Sequence, residues 1–126
     1  MKKVLSLLVF SGVMAFNSAG VMAAGNVHCS AKVSNVQLKP EGRVVVSTVG
    51  TTSGGHTQPL DVSDSGVCKL TGSTKEYCQA LYSALLVALS TDQKIELTFY
   101  NGSRTCPQGQ YQSLDSSGLN NFKLLK

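Results

Sequence analysis

The stretch GSTKEYCQALYSALLVALSTDQKIELTFYNG, residues 72–102, joins a helix pattern to a strand pattern. Ser73 and Glu76 have the spacing of a capping box, and the helix pattern continues to about Ser90. The residues KIELTFYN (94–101) then place apolar side chains at alternate positions, which is typical of a half-buried strand. The stretch therefore predicts one helix followed by one strand of a sheet.

The helix has more apolar residues than one buried face requires. On a wheel of about 100° per residue, one broad face collects the side chains that we expect to meet the core: Tyr77, Cys78, Leu81, Tyr82, Ala84, Leu85, Ala88 and Leu89. Leu86 and Val87 interrupt the opposite, polar side. Two interpretations of this pair stay open: ordinary exposed apolar residues, which most surfaces carry, or a contact with another subunit.

Four strand patterns surround the helix. Residues 27–38 alternate and then slip by one position, which predicts a strand with a β-bulge. The turn KPEG leads into the β-branched run 43–50, and residues 60–70 predict a third strand that is irregular in its middle. One strand follows the helix at 94–101, and a last strand lies within residues 118–126.

The predicted order of elements is three strands, one helix and two strands. It indicates a mainly β fold with one helix, a five-stranded OB-fold-like Greek-key barrel of order β-β-β-α-β-β. We expect the helix to fill one open end of this barrel. A layered α/β fold would need more helices than the chain has.

The first residues carry the pattern of a secretory signal peptide. Two lysines precede an apolar run of about 13 residues, and small residues follow it. That run is shorter than the roughly 20 residues that a membrane-spanning helix needs. We place the cut after Ala23, with Ala24 as the neighbouring alternative, which gives a signal peptide at 1–23 and a single domain at 24–126. We expect a secreted or periplasmic protein.

The mature part is small and only weakly basic. The 126-residue chain loses 23 residues, and the 103 that remain are enough for one modest core. The net charge is +4, and two lysines lie in the signal peptide, so the mature domain carries +2. Because it has no cluster of lysine or arginine, nucleic acid is a poor candidate partner. We expect no cofactor.

The cysteines predict disulfides. Cys29, Cys68, Cys78 and Cys106 all follow the signal peptide, and an even count in a small exported domain indicates two bonds. The spacing contains no CxxC pair and the two histidines are far apart, so we expect no metal site. Of the three connectivities, we favour Cys68 with Cys106 and Cys29 with Cys78. The second bond would tie the first strand to the helix.

Two polar loops are candidates for ligand binding. One supplies Thr52, Ser53 and His56, and the other supplies Arg104 and Tyr111. Their hydroxyl, guanidinium and aromatic groups suit a sugar, and loops on an OB-fold barrel commonly bind oligosaccharides. The alternative interpretation is that both loops are ordinary polar connectors and that His56 is solvated.

No pattern indicates catalysis. A nucleophile needs a base within hydrogen-bond reach. His28 adjoins Cys29, which we expect to be oxidised, and His56 lies in a glycine-rich loop. Asp61 and Asp64 are the only close pair among dispersed carboxylates, unlike the two carboxylates of a glycosidase. We therefore expect a protein that is not an enzyme.

The segment from Cys68 through the helix to Tyr100 resembles the B subunits of subtilase cytotoxin and of typhoid toxin. It also resembles a broader group of small exported bacterial proteins of unknown role. The resemblance covers about a third of the chain, at Cys68, Tyr77, Leu81, Leu85, Ala88, Leu89, Lys94, Ile95, Leu97 and Tyr100. It implies an OB-fold, assembly into a five-membered ring and binding of host glycans.

We therefore expect an exported, non-enzymatic binding module, similar to a toxin B subunit, that recognises a glycan or a protein. A homo-oligomeric ring would use Leu86 and Val87 as contact residues. The alternative is a monomeric periplasmic structural or accessory protein with no small-molecule ligand.

Overall fold

A computed structural model of the chain describes residues 25–52 and 56–126. The predicted signal peptide and Ser53 lie outside the described residues. In these ranges the elements are β1 Gly25–Leu38, β2 Arg43–Thr51, β3 Thr57–Pro59, β4 Val62–Ser63, β5 Ser65–Lys69, α1 Lys75–Thr91, β6 Lys94–Asn101, β7 Gly109–Gln110 and β8 Leu119–Leu125. A 3₁₀ turn at Leu114–Ser116 precedes β8.

The curled main sheet has six strands: five pair antiparallel in the order β5-β2-β1-β6-β8, and the short β3 pairs parallel with β1. The long β1 pairs with β6 along its first half and with β2 along its second. The predicted bulge is present, since the register of β1 against β2 shifts between Val33 and Asn35. The predicted third strand is broken into β4 and β5, because Asp64 between them has a φ of 49°. The protein is a mainly β, OB-fold-like half-barrel with one helix.

The barrel is less closed than the sequence indicated. The end strands β5 and β8 do not pair with each other. The N–H of Gly66 in β5 donates to the carbonyl of Gln112 at 3.0 Å, next to a single bridge between Gly66 and Ser113. The 3₁₀ turn then carries the chain away from β5 before β8 begins. We call the gap between β5 and β8 the seam.

The core lies between the sheet and one narrow stripe of α1. Ile95, Leu97 and Phe99 of β6 are fully buried, as their alternation predicted. The buried stripe of the helix is Cys78, Leu81, Leu85 and Ala88, which pack on β1, β5, β6 and β8. The predicted face was too broad, because a curled sheet covers one helix stripe rather than half of the circumference. Tyr77 and Leu89 are 37% and 39% exposed at its flanks.

The two predicted disulfides are present, but the favoured pairing is wrong. Cys29 bonds to Cys106 and Cys68 bonds to Cys78, with Cα atoms 5.8 and 5.5 Å apart. The chain reverses between β5 and α1, so the first helical turn faces the strand that it has just left. The loop after β6 returns past β3 to β1, which brings Cys106 to Cys29. The described residues contain no free cysteine.

Two disulfides are compatible with an oxidising, exported location. Within the described ranges, the one helix falls short of the length and apolar character that crossing a bilayer would require.

Candidate functional site

A cavity with a volume of about 510 Å³ lies in the seam. Its walls come from residues 67–69 of β5, residues 71–74 before the helix, and Tyr77, Asp115, Leu119 and Asn120. We call it the seam cleft. It exists because β8 begins beyond the 3₁₀ turn, and no backbone hydrogen bond between described residues joins 67–69 to β8.

The approach to the helix gives the cleft a hydroxyl-rich wall. The predicted capping box is wrong, since Thr74 is the N-cap residue and no side chain caps the helix. Gly72, with a φ of 83°, turns the chain, and its carbonyl accepts from the N–H of Lys75 at 3.3 Å. The Thr71, Ser73 and Thr74 hydroxyls therefore remain at the cleft. None of them has a hydrogen-bond partner among the described residues.

Tyr77 supplies the aromatic wall. Its ring meets that of Phe122 edge to face, with centroids 5.5 Å apart and planes at 73°. Burial raises the pKa of the Tyr77 phenol above its ordinary value of 10.0, because the charged phenolate would lose hydration. The ring of Tyr77, packed against that of Phe122, therefore gives the cleft an aromatic surface beside its hydroxyl groups.

The two charges of the seam cleft differ in their surroundings. Oδ1 of Asp115 accepts from Ser113 Oγ at 2.7 Å and from Arg43 Nη2 at 3.4 Å. Lys69 has no ion pair with any described residue. The cleft therefore offers a carboxylate that is already neutralised and an ammonium group that is not.

The predicted ligand residues do not line the seam cleft. Thr52 is exposed just after β2, and His56 is exposed with its ring centroid 6.1 Å from that of His28. The backbone carbonyl of Arg104 accepts from Gln58 Nε2 at 3.4 Å. Gln58 is the middle residue of the short β3, and His56 immediately precedes this strand.

Tyr111 lies elsewhere. Its ring is 74% exposed, its φ is 59°, and its N–H donates to the carbonyl of Ser63 at 2.9 Å. Ser63 is five residues beyond Gln58, or about 17 Å along an extended chain. The five predicted residues therefore do not form one described site.

A second, smaller cavity of about 280 Å³ lies on the loop between β6 and β8. Its lining is uncharged: Asn101, Ser103, Thr105, Pro107, Gln112 and Ser117. The Asn101 carboxamide oxygen already accepts from Ser103 Oγ and from the N–H of Arg104, at 3.1 and 2.7 Å. Because its polar groups are largely paired with one another, this cavity is the weaker candidate.

The predicted contact residues Leu86 and Val87 are each 41% exposed on the outer side of α1. They point about 100° apart on the helix. Leu86 lies on the same flank as Tyr82 and Leu89, four positions before it and three after it. The exposed apolar surface of the helix therefore extends along this flank, and Val87 lies apart from it.

Among the described residues, no three side chains of the His, Cys, Asp and Glu types are placed to hold a metal ion. The wall residues Ser73, Thr74 and Asn120 were missed from the sequence. The hydroxyl run TGST before the helix was a usable signal, but nothing local indicated that Asn120 would face it.

No known family model matches this chain, and no curated protein matches it at a significant level. The fold and the cleft are therefore the basis for a functional argument.

Proposed function

We propose that the chain is an exported, non-enzymatic binding module whose ligand occupies the seam cleft. The supporting observation is the cleft itself, whose lining has three hydroxyls and an ammonium group without partners among the described residues, beside the aromatic ring of Tyr77. Its volume of about 510 Å³ falls within the range of ligand-binding pockets. Export is supported by the two disulfides and by the signal-peptide pattern.

The ligand is a glycan or a segment of a partner protein. A glycan is favoured by the resemblance to toxin B subunits and by the hydroxyl and amide groups, which can pair with sugar hydroxyls. A protein segment is favoured by the strand edges that flank the cleft. The two ligand classes share one site, so a single set of variants tests both.

The test fills the cleft. Ser73→Trp places a large side chain in the wall, and Ser83→Trp makes the same change on the exposed outer side of the helix. The oxidised protein is screened on a glycan array and a peptide array. We expect wild type and Ser83→Trp to bind the same ligand and Ser73→Trp to lose it. Well-folded wild-type protein that binds on neither array would favour the alternative, a monomeric periplasmic structural or accessory protein.

We also propose a homo-oligomeric ring, as the resemblance implies, with Leu86 and Val87 at the subunit contact. Their 41% exposure supports this role. Native mass spectrometry over a range of concentrations should detect a ring for wild type and monomers for Leu86→Lys with Val87→Lys. A wild-type monomer at every concentration would exclude the ring without affecting the cleft.

A further inference from the structure

The seam cleft lies between two strand edges of the same sheet. On one side, β5 pairs with β2 through its inner edge, and among the described residues its outer edge has a backbone partner only at Gly66. On the other side, β8 pairs with β6 and is the last strand of the sheet. Backbone N–H and C=O groups on such edges are ready to pair with an added strand.

The protein already closes the neighbouring part of this gap with an extended segment. Residues 109–113 run parallel to residues 61–66. The N–H of Gly109 donates to Asp61 O at 3.0 Å, the N–H of Tyr111 to Ser63 O at 2.9 Å, and the N–H of Gly66 to Gln112 O at 3.0 Å. This line of main-chain bonds ends where the 3₁₀ turn begins at Leu114. The seam cleft is the continuation of the same line beside residues 67–69.

From this continuity we propose that the seam cleft binds an extended peptide segment of a partner protein, which adds as a strand along residues 67–69. The inference rests on the proposed function, in that the cleft is the ligand site, and it names the ligand class. Three residues offer about 10 Å of strand edge, at about 3.3 Å per residue. The segment held is therefore short, about three to five residues.

The walls specify the side chains of this peptide. Tyr77 and Leu119 are the apolar surfaces, so a β-branched residue of the peptide packs against them. Lys69 is the unpaired charge, while Arg43 already neutralises Asp115. An acidic residue next to Lys69 is the complementary partner. The preferred ligand is thus an extended, β-branched peptide with one acidic side chain.

The test uses acetylated and amidated hexapeptides of alternating valine and threonine, with one glutamate moved through each position. Amide hydrogen exchange of the oxidised protein is followed by NMR. We expect at least one peptide to slow exchange in residues 67–69 by about tenfold or more. The same peptide with N-methylated backbone nitrogens should not bind, because its main chain cannot donate. Protection that appears elsewhere, or that survives N-methylation, would overturn the proposal.

A charge exchange tests the acidic preference. Lys69→Glu should weaken binding of the glutamate peptide about fivefold or more and favour its lysine counterpart. Lys75→Glu changes the net charge equally but lies outside the cleft lining, so it should retain the wild-type preference. Equal effects of the two variants would contradict a specific role for Lys69.

The glycan screen distinguishes failure of the peptide ligand from failure of the cleft as a binding site. A glycan that binds wild type and is lost in Ser73→Trp, with no peptide protection at 67–69, would leave the cleft as the binding site and refute the peptide. Absence of both peptide and glycan binding would refute the proposed function as well.

Discussion

His28 Nδ1 lies 3.1 Å from Oε2 of Glu96, a carboxylate that is 5% exposed on the outer face of the sheet. Lys123 Nζ lies 3.8 Å from the same oxygen. In the register, Glu96 is opposite Lys123 of β8, while His28 is opposite Thr98. The carboxylate is thus held from both neighbouring strands. A buried charge lowers the stability of the fold unless it has partners. We therefore expect His28, the closer of the two groups, to contribute more to the free energy of unfolding than Lys123.

We predict that His28→Ala lowers the free energy of unfolding by about 1–3 kcal/mol, because it removes the close partner of a buried carboxylate. Lys123→Ala should lower the free energy of unfolding by less than about 1 kcal/mol, because its ammonium group lies farther from the carboxylate and is mostly exposed. Urea unfolding at neutral pH measures both. His56→Ala is the control, because this exposed histidine contacts His28 edge to face but not Glu96, and it should change the free energy of unfolding little. Equal losses of unfolding free energy in His28→Ala and Lys123→Ala would contradict the assignment of His28 as the main partner of Glu96.

The two disulfides should contribute unequally. Cys29–Cys106 spans 77 residues and Cys68–Cys78 spans 10. In the chain-entropy model the longer loop stabilises by about 4.5 kcal/mol and the shorter by about 2.7 kcal/mol. One variant replaces Cys29 and Cys106 by alanine, and the other replaces Cys68 and Cys78. Urea unfolding should show the larger loss of unfolding free energy in the first variant. The reverse order would indicate that strain or packing outweighs the loop entropy.

Peptide mapping checks the pairing itself. A non-reducing digest of the oxidised protein should yield one linked fragment with Cys29 and Cys106 and another with Cys68 and Cys78. The pairing favoured by the sequence would instead link Cys68 to Cys106, and finding that fragment would contradict the fold around the seam.

The local elements were readable from the sequence because each has its own period. The alternation through Ile95, Leu97 and Phe99 and the slip after Val33 both report how side chains alternate along one strand. The stripe at Cys78, Leu81 and Leu85 likewise follows from the helical repeat. These patterns were sufficient to predict the single helix and the order of the longer strands, but not the short β3 and β7, which lie in predicted loops.

The seam cleft could not be predicted, because it depends on distances between residues remote in sequence. Nothing in the local pattern shows that the turn at Leu114–Ser116 separates β8 from β5. The disulfide pairing failed for the same reason. Spacing alone could not show that the helix folds back onto β5, which places Cys78 beside Cys68.

The phenol of Tyr77 gives a pH-dependent prediction. Its pKa in the folded protein is raised above the ordinary value of 10.0 by burial. The folded state therefore holds this proton when the unfolded state has lost it, so the stability is complete below pH 10 and falls as pH rises through the folded pKa. Tyr77→Phe should remove this part of the alkaline loss.

Ultraviolet titration of the phenols measures this effect. The folded protein should show a component above the ordinary range, and that component should be missing in Tyr77→Phe. Protein unfolded in denaturant is the control, because Tyr77 is then hydrated. A component of equal size in Tyr77→Phe would contradict the assignment to the cleft wall.

Gly118 sets the point where β8 begins, and a graded set of glycine substitutions tests it. Its φ is 92°, its carbonyl accepts from the N–H of Tyr100 at 2.8 Å, and an added Cβ would overlap the carbonyl oxygen of Tyr100. Gly118→Ala therefore combines a left-handed backbone with a backbone clash, and we expect it to cost about 3 kcal/mol or more.

Two other glycines separate these causes. Gly72 has a φ of 83° but open space around the added Cβ, so Gly72→Ala should cost about 1–2 kcal/mol from the backbone alone. Gly102 has open space and no left-handed φ, and Gly102→Ala should be neutral or stabilise by about 0.4–1 kcal/mol. Urea unfolding of the three variants should rank them in this order. A Gly118→Ala variant as stable as Gly72→Ala would mean that the start of β8 can shift away from Tyr100. The position of β8 at the seam would then differ from that described here.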